Sequence, residues 1–347
     1  MKKHTNQTMP QIIGIDLGDR TSHYCVVAPN GEIVQQASFR NQPAGLRRHF
    51  AGAACRIALE AGAQSAWITR ELEALGHEVI VAHPRQLKWI TRSDAKNDPA
   101  DARKLALLLR ADARLLHPIE HRSAEQQREL AVIRARDAAV RARTLLVNAA
   151  RSTAKGFGLR LPKSITARFG QRALAAAPQL EQILGILLNQ IDALSAAITA
   201  YEKQIEQIAR THPEVERLSQ IPGVGTLTAL TFVLRLGRAD RFAHSRDAAS
   251  YLGLRPRQRQ SGERDPQLGI TKCGDPYLRK LLVQCAHWML GPFGCDSALR
   301  QWGLAKGEGG GQRSKLRAVV AVARKLAVLL HRLWRTGEVY KPFPSMA

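Results

Sequence analysis

The 347-residue sequence predicts an α/β domain built on a mixed sheet, followed by a long helical half. Three observations predict it. Three short apolar runs joined by tight turns open the chain, and strand–helix alternation follows them to about residue 117. A heptad series of apolar residues fills the middle. A Pro-Gly-Val-Gly turn between two helical patterns marks a third region. The expected domains are 11–117 for the mixed sheet, 118–210 for a basic helical region with a coiled coil, and 211–347 for a helical C-terminal domain.

The first strand, Ile12-Ile13-Gly14-Ile15-Asp16, is an apolar run that closes on a carboxylate before Gly18 releases the backbone. Strands are expected near 12–16, 23–28, 32–39, 55–60 and 78–82, with helices near 43–51, 65–75 and 99–115. Pro29-Asn30-Gly31 supplies the turn between the second and third strands. This is the order of a ribonuclease-H-like sheet. A doubly wound parallel fold would need a long helix straight after the first strand, and none is visible there.

An Asp at the end of a buried strand is costly unless something compensates its charge, and a divalent metal is the usual compensation. Two further arrivals fit Asp16. Cys55 to Glu60 is a second apolar run ending in an acid, and Asn97-Asp98-Pro99-Ala100-Asp101 opens a helix. Pro99 suits the first helical position, with Asp98 before it as N-cap. Asp98 and Asp101 share one face of the first turn. Two strand-end acids and two helix acids make an all-oxygen set that suits Mg²⁺, with Mn²⁺ an alternative. The plainer reading makes Asp98 and Asp101 an ordinary acidic pair at a helix N-terminus, and Glu60 a surface acid.

The charge balance, 52 Lys and Arg against 29 Asp and Glu, gives a net +23. A polyanion is the natural partner of such a chain, held mainly through its phosphates. The five cysteines show no CxxC pairing, so neither a disulfide frame nor a structural zinc is expected. No stretch of eighteen apolar residues and no apolar signal core is present. No membrane association is expected, and the protein is expected in the cytoplasm.

Residues 122–172 carry twelve Lys and Arg against three acids, an excess suited in part to phosphate. The heptad series follows: Leu184, Leu187, Ile191, Leu194, Ile198, Tyr201, Ile205 and Ile208. Its alternating three and four spacing predicts a coiled-coil seam, read as a self-association arm, with packing inside the chain as the alternative. Ile221-Pro222-Gly223-Val224-Gly225, just before a helix at Thr226, reads as a helix–hairpin–helix turn. Gly223 and Gly225 would let backbone amides approach a DNA phosphate. Between Arg255 and Lys280 seven basic residues face three acids, around Ser261 and Gly262. Arg255, Arg257, Arg259, Lys272 and Arg279 are the candidate phosphate contacts. Ser261, followed by Gly in an arginine-rich loop before a helix, is placed to meet a phosphodiester, although most loop serines are turn formers and no His stands in register as its base.

Taken in order, these segments resemble the DEDD transposases of bacterial insertion sequences, the insertion-sequence-110 type that includes Piv-like invertases. The resemblance rests on IGID at 13–16, IALEAG at 57–62, KNDPADARKLA at 96–106, IPGVG at 221–225, FAHSRDAASYLGLRPR at 242–257 and SG…GITKCGDPYLRKLL at 261–282. It implies a RuvC-like domain whose Asp-Glu-Asp-Asp quartet, here Asp16, Glu60, Asp98 and Asp101, binds Mg²⁺. It also implies a C-terminal transposase domain whose serine, here Ser261, forms a covalent phosphoserine link with DNA. Further implications are a structured bridge RNA that selects donor and target DNA, a dimer or tetramer, and a place near the bacterial nucleoid. Glu263 and Asp265 depart from what is expected beside a phosphate. A rival is a Holliday-junction resolvase or nuclease that uses the same acids on water; another is a silent nucleic-acid-binding protein.

Overall fold

The structure, a computed structural model, describes residues 11–84, 87, 98–163, 168–259 and 268–343. It divides into two compact units between Arg122 and Ser123.

In the first unit, β1 (Ile12–Asp16), β2 (Thr21–Val27) and β3 (Ile33–Arg40) form an antiparallel meander. Helix α1 (Pro43–Phe50) follows, then β4 (Arg56–Glu60), α2 (Ser65–Ala74) and β5 (Glu78–Ala82). β4 runs parallel to β1, and β5 parallel to β4, so the sheet order is β3-β2-β1-β4-β5. That mixed five-stranded sheet is consistent with the ribonuclease-H-like expectation, and the doubly wound alternative is excluded by the antiparallel meander. α3 (Asp98–Ala111) completes the unit, shorter than the 99–115 expected because the chain passes into a 3₁₀ turn at Ala113–Leu116.

Both faces of the central strands β1 and β4 are buried. Ile13, Ile15, Ile57 and Leu59 pack with Leu46, Phe50, Ile68 and Leu72 of α1 and α2. The alternate residues Ile12 and Ala58 pack with Ala102, Leu105, Ala106 and Leu109 of α3. By the period of two along a strand, Gly14, Asp16 and Glu60 share the α3 side. Gly14 makes the close approach possible. A methyl there would run into the Ala102 carbonyl oxygen and the Ala106 amide nitrogen.

The second unit is helical: α4 (Ala124–Gly156), α5 (Phe169–Ala176), α6 (Glu181–Arg210), α7 (Pro213–Ser219), α8 (Thr226–Leu236), α9 (Ser245–Tyr251), α10 (Pro276–Leu290), α11 (Ala298–Gly307) and α12 (Gln312–Thr336). α4 and α6 run antiparallel, with Arg136 bonded to Glu202 and Arg143 to Ser195. α6 is long and apolar enough by composition to cross a membrane. Its apolar residues have another use. Leu184 and Ile191 pack with Val147 and Ala150 of α4, so part of the heptad series is covered within the chain, while Leu187, Leu194 and Tyr201 are half-buried. The spacing is the same for either partner, and α4 is long enough to be the nearer one. Leu130, Ile133 and Ile205 at the other end of this pair enter one core with α7, α8, α9, α10 and α12. The segments expected as separate domains 118–210 and 211–347 thus share a core, which is why they fall in one compact unit.

Candidate functional site

The register Ile15↔Leu59 sets the C-terminal ends of β1 and β4 side by side, which brings Asp16 next to Glu60. α3 lies across Gly14 with its N-terminus towards that edge, so Asp98 and Asp101 come over the same place. The consequence is electrostatic. The Asp16 carboxyl is pushed up from 3.8 to about 6, first by burial and then by the charges of Asp98, Asp101 and Glu60. Four acids separated by 85 positions of sequence therefore feel one another.

Asp101 is only 4 % exposed and accepts a hydrogen bond from Lys104 Nζ at 2.9 Å. Asp98 faces solvent, and its Oδ2 lies 3.9 Å from His23 Nε2. His23 pairs with Asp16 across the β1–β2 hairpin, and its charge favours ionised Asp16. Sequence reasoning missed His23 and Lys104. It also missed two amides that hold the turn after Asp16. Asn41 Nδ2 donates to the Gly18 carbonyl at 2.9 Å, and Gln64 Nε2 donates to the same oxygen at 3.1 Å. Gln64 follows the IALEAG run closely, so its position was the one available signal.

As a donor set the four carboxylates fit a hard divalent cation, and relief of their repulsion is what such a cation would supply. Among the described residues no three His, Cys, Asp or Glu side chains already stand close enough to enclose a metal ion. Lys104 holds one Asp101 oxygen and Asp98 is open to solvent, so the cluster must draw inward to hold one.

Ser261 lies outside the described residues, which resume on either side of it at Arg259 and Leu268. The Arg257 amide donates to the Gly269 carbonyl and the Thr271 amide to the Arg255 carbonyl, with Pro256 bridged to Ile270. These contacts make a short two-stranded stem, and residues 260–267 join its strands. The stem is anchored to α10. Arg279 Nη1 donates to the carbonyls of Leu252 and Cys273 at 3.0 and 2.9 Å. The Leu278 amide donates to Asp275, which also pairs with Arg235 at 2.8 Å. Gly253 has φ +71 and faces the Cys273 backbone where no side chain could fit. Arg279, expected to meet phosphate, therefore holds the base of the stem, while Arg255, Arg257, Arg259 and Lys272 are exposed.

The Ile221–Gly225 turn connects α7 to α8 as a tight hairpin. Gly223 has φ +89 and lies against the Trp288 ring, where a side chain would collide with Cε3. Gly225 is the N-cap of α8, and the Thr228 and Ala229 amides donate to its carbonyl.

Two family models match the chain. One, of the DEDD insertion-sequence-110 type and described as "Transposase", covers residues 13–158; the other, described as "Transposase IS116/IS110/IS902 family", covers 215–294. The "Transposase for insertion sequence element IS1328" of Yersinia enterocolitica is 31% identical over 80% of this chain and 84% of its own length. The corresponding protein of element IS1111A from Coxiella burnetii is 28% identical over 95% of this chain and 91% of its own. A "Pilin gene-inverting protein" of Moraxella bovis is 28% identical over 42% of this chain and 46% of its own length.

Proposed function

The chain belongs to the IS110 family of insertion-sequence transposases, enzymes of DNA recombination, and from that premise we propose that it cuts and rejoins DNA through a phosphoserine intermediate at Ser261. In this reading Asp16, Glu60, Asp98 and Asp101 hold a divalent cation, Mg²⁺ or Mn²⁺. The observation that carries it is the convergence of these four acids at the ends of β1 and β4 and the start of α3, where burial first, and then the charges of Asp98, Asp101 and Glu60, raise Asp16 to about 6. Separate surface carboxylates would not do this.

A bound divalent cation would supply Lewis-acid polarisation of the scissile phosphate. The chain's own residues do the rest. The Ser261 Oγ–P bond forms as the P–O3′ bond breaks, and the serine proton leaves with the departing oxygen. The exposed guanidinium groups of Arg255, Arg257 and Arg259 are suited to the charge that develops on the phosphoryl oxygens. A 3′ hydroxyl of the partner strand then displaces the serine, so the phosphodiester is conserved and no nucleotide triphosphate is consumed. The Pro222-Gly223-Val224-Gly225 turn and the start of α8 are suited to grip DNA backbone as a helix–hairpin–helix. The net charge of +23 supports a second polyanion, a structured guide RNA that selects donor and target DNA. Pairing of copies would use the half-buried heptad residues Leu187 and Leu194 together with Ile183, Ile186 and Leu145, which are exposed.

The test is a covalent-adduct assay. Purified protein, RNA transcribed from the flank of its element, matching DNA and Mg²⁺ are resolved on a denaturing gel beside Ser261→Ala and Asp98→Ala. The expected result is an adduct in the wild type that both variants lose. Cleaved DNA without adduct, unaffected by Ser261→Ala, would instead identify a hydrolytic nuclease.

A further inference from the structure

We infer that the cleft between the Ile221–Gly225 hairpin and α10 receives one unpaired nucleotide, with its base against Trp288 and its phosphate at the start of α8. The inference rests on the reading that the helical half grips nucleic acid, and it changes what is gripped there: an unstacked base as well as a backbone.

The cleft has a volume of about 470 Å³. Leu281, Gln284, Cys285 and Trp288 line it from α10, at the spacing of one helix stripe, and the hairpin closes the opposite side. Among the described residues no charged side chain lines it. This is the composition of a site for a flat, weakly polar group, and it differs from a phosphate groove, which would present Lys and Arg.

Three features specify the group. Trp288 is 40 % exposed, and the edge of its ring is fixed by Gly223. A held aromatic ring with an open surface is the platform on which unpaired bases stack, whereas bases inside a duplex already stack on one another. Ser219 Oγ, on the cleft wall, is buried with no hydrogen-bond partner among the described residues. A buried hydroxyl in that state calls for a polar ligand atom. Gln284 offers both a donor and an acceptor, as the edge of a base requires. Finally, the Thr226 and Leu227 amides open α8 ahead of the Thr228 and Ala229 amides that bond the Gly225 carbonyl, beside Gly225, where no side chain stands in the way. Apolar wall, ring, edge-reading groups and anion end occur together in one cleft, in the order in which a nucleotide carries their complements.

The source of the nucleotide is decided by the experiment. Full-length protein is titrated, at one fixed salt concentration, into labelled 30-base-pair DNA, the same duplex with three unpaired central thymines, and RNA duplexes with and without three unpaired uracils. Fluorescence anisotropy reads the Kd. One or both bulged probes should bind more tightly than their paired counterparts. Trp288→Ala should lose about 10-fold on the preferred probe and little on paired DNA, the loss expected of one base–aromatic stack. Trp288→Phe should recover most of it. A probe carrying 5-iodouracil at the unpaired position should photocrosslink to Trp288 of the wild type, a readout independent of any variant's folding. Preference for the DNA or the RNA bulge would identify the strand. Equal binding of paired and unpaired probes, or crosslinks that avoid Trp288, would overturn the inference while leaving the transposase interface standing. Absence of all nucleic-acid binding would overturn both.

Discussion

Asp16→Asn should make the protein more stable at neutral pH, although it removes an acid from the proposed metal site. Asp16 ionises near 6 in the folded chain and near 3.8 without it. At about 1.4 kcal/mol per pH unit that difference has a ceiling of about 3 kcal/mol, and because Asp16 is only half-buried, solvent screening reduces it to about 1–2 kcal/mol. The sign follows from proton binding. Between pH 4 and pH 6 the native state keeps a proton that the unfolded chain has released, so stability falls as pH rises through that window. Above pH 6 the whole loss of about 1–2 kcal/mol is present. Asn, neutral and of the same shape, avoids it. Urea unfolding at pH 4, 5, 6 and 7.5, without divalent cation, should show wild type and variant nearly equal at pH 4 and the variant ahead by about 1–2 kcal/mol at pH 7.5. Adding Mg²⁺ at pH 7.5 should raise the wild type and hardly change the variant. Equal stability of the two proteins at pH 7.5, or a gap that does not vary with pH, would show that the four acids do not form one electrostatic cluster.

Other substitutions test how that cluster and the serine stem are held. Gly14→Ala would drive a methyl into the backbone of α3. It should cost about 1–3 kcal/mol by thermal unfolding and suppress DNA cleavage although all four acids remain. Lys104→Met leaves nearly buried Asp101 without its partner, so stability at neutral pH should fall by about 1–3 kcal/mol, and Mg²⁺ should restore more of it than in the wild type. Arg279→Lys should loosen the stem below Ser261, lowering adduct yield at least about 10-fold, the effect of roughly 1.4 kcal/mol, while anisotropy finds DNA affinity within about two-fold of wild type.

Much of the sheet unit was legible because its signals are local. An apolar run ending in Asp16, a second ending in Glu60, and Pro99 after Asp98 each announce an element by neighbouring residues alone. What brings those elements together is not local. Gly14 reads as one small residue in a strand, and only the structure shows that α3 rests on its missing side chain. The roles of His23, Lys104, Asn41 and Gln64 depend on strand register and helix placement, which hydrophobic pattern does not encode at the level of single polar groups. The heptad series is ambiguous for another reason. Leu184 and Ile191 need an apolar partner, and their spacing cannot say whether that partner is another copy or α4 of the same chain.

The same distinction explains how the two proposed chemical groups are supported. Asp16 and Glu60 sit at the ends of paired strands buried on both faces, so their backbone positions are set by a sheet whose displacement would disturb two cores. Such rigidity suits like charges, which otherwise separate. Ser261 needs a different support, because a nucleophile that becomes bonded to DNA and is later released has to follow a strand. A short stem provides this: few hydrogen bonds along its length, and a base locked by Arg279, Asp275 and Gly253. If this division is correct, lengthening the 260–267 segment by two glycines should lower adduct yield without changing stability, since the bonds that lock the base of the stem lie outside that segment. Inserting two glycines after Asp16 should instead unfold the first unit, because the turn fixed by Asn41 and Gln64 would no longer return β2 in register. Circular dichroism and the adduct gel together read both outcomes, and a stem insertion that melted the protein would refute the division.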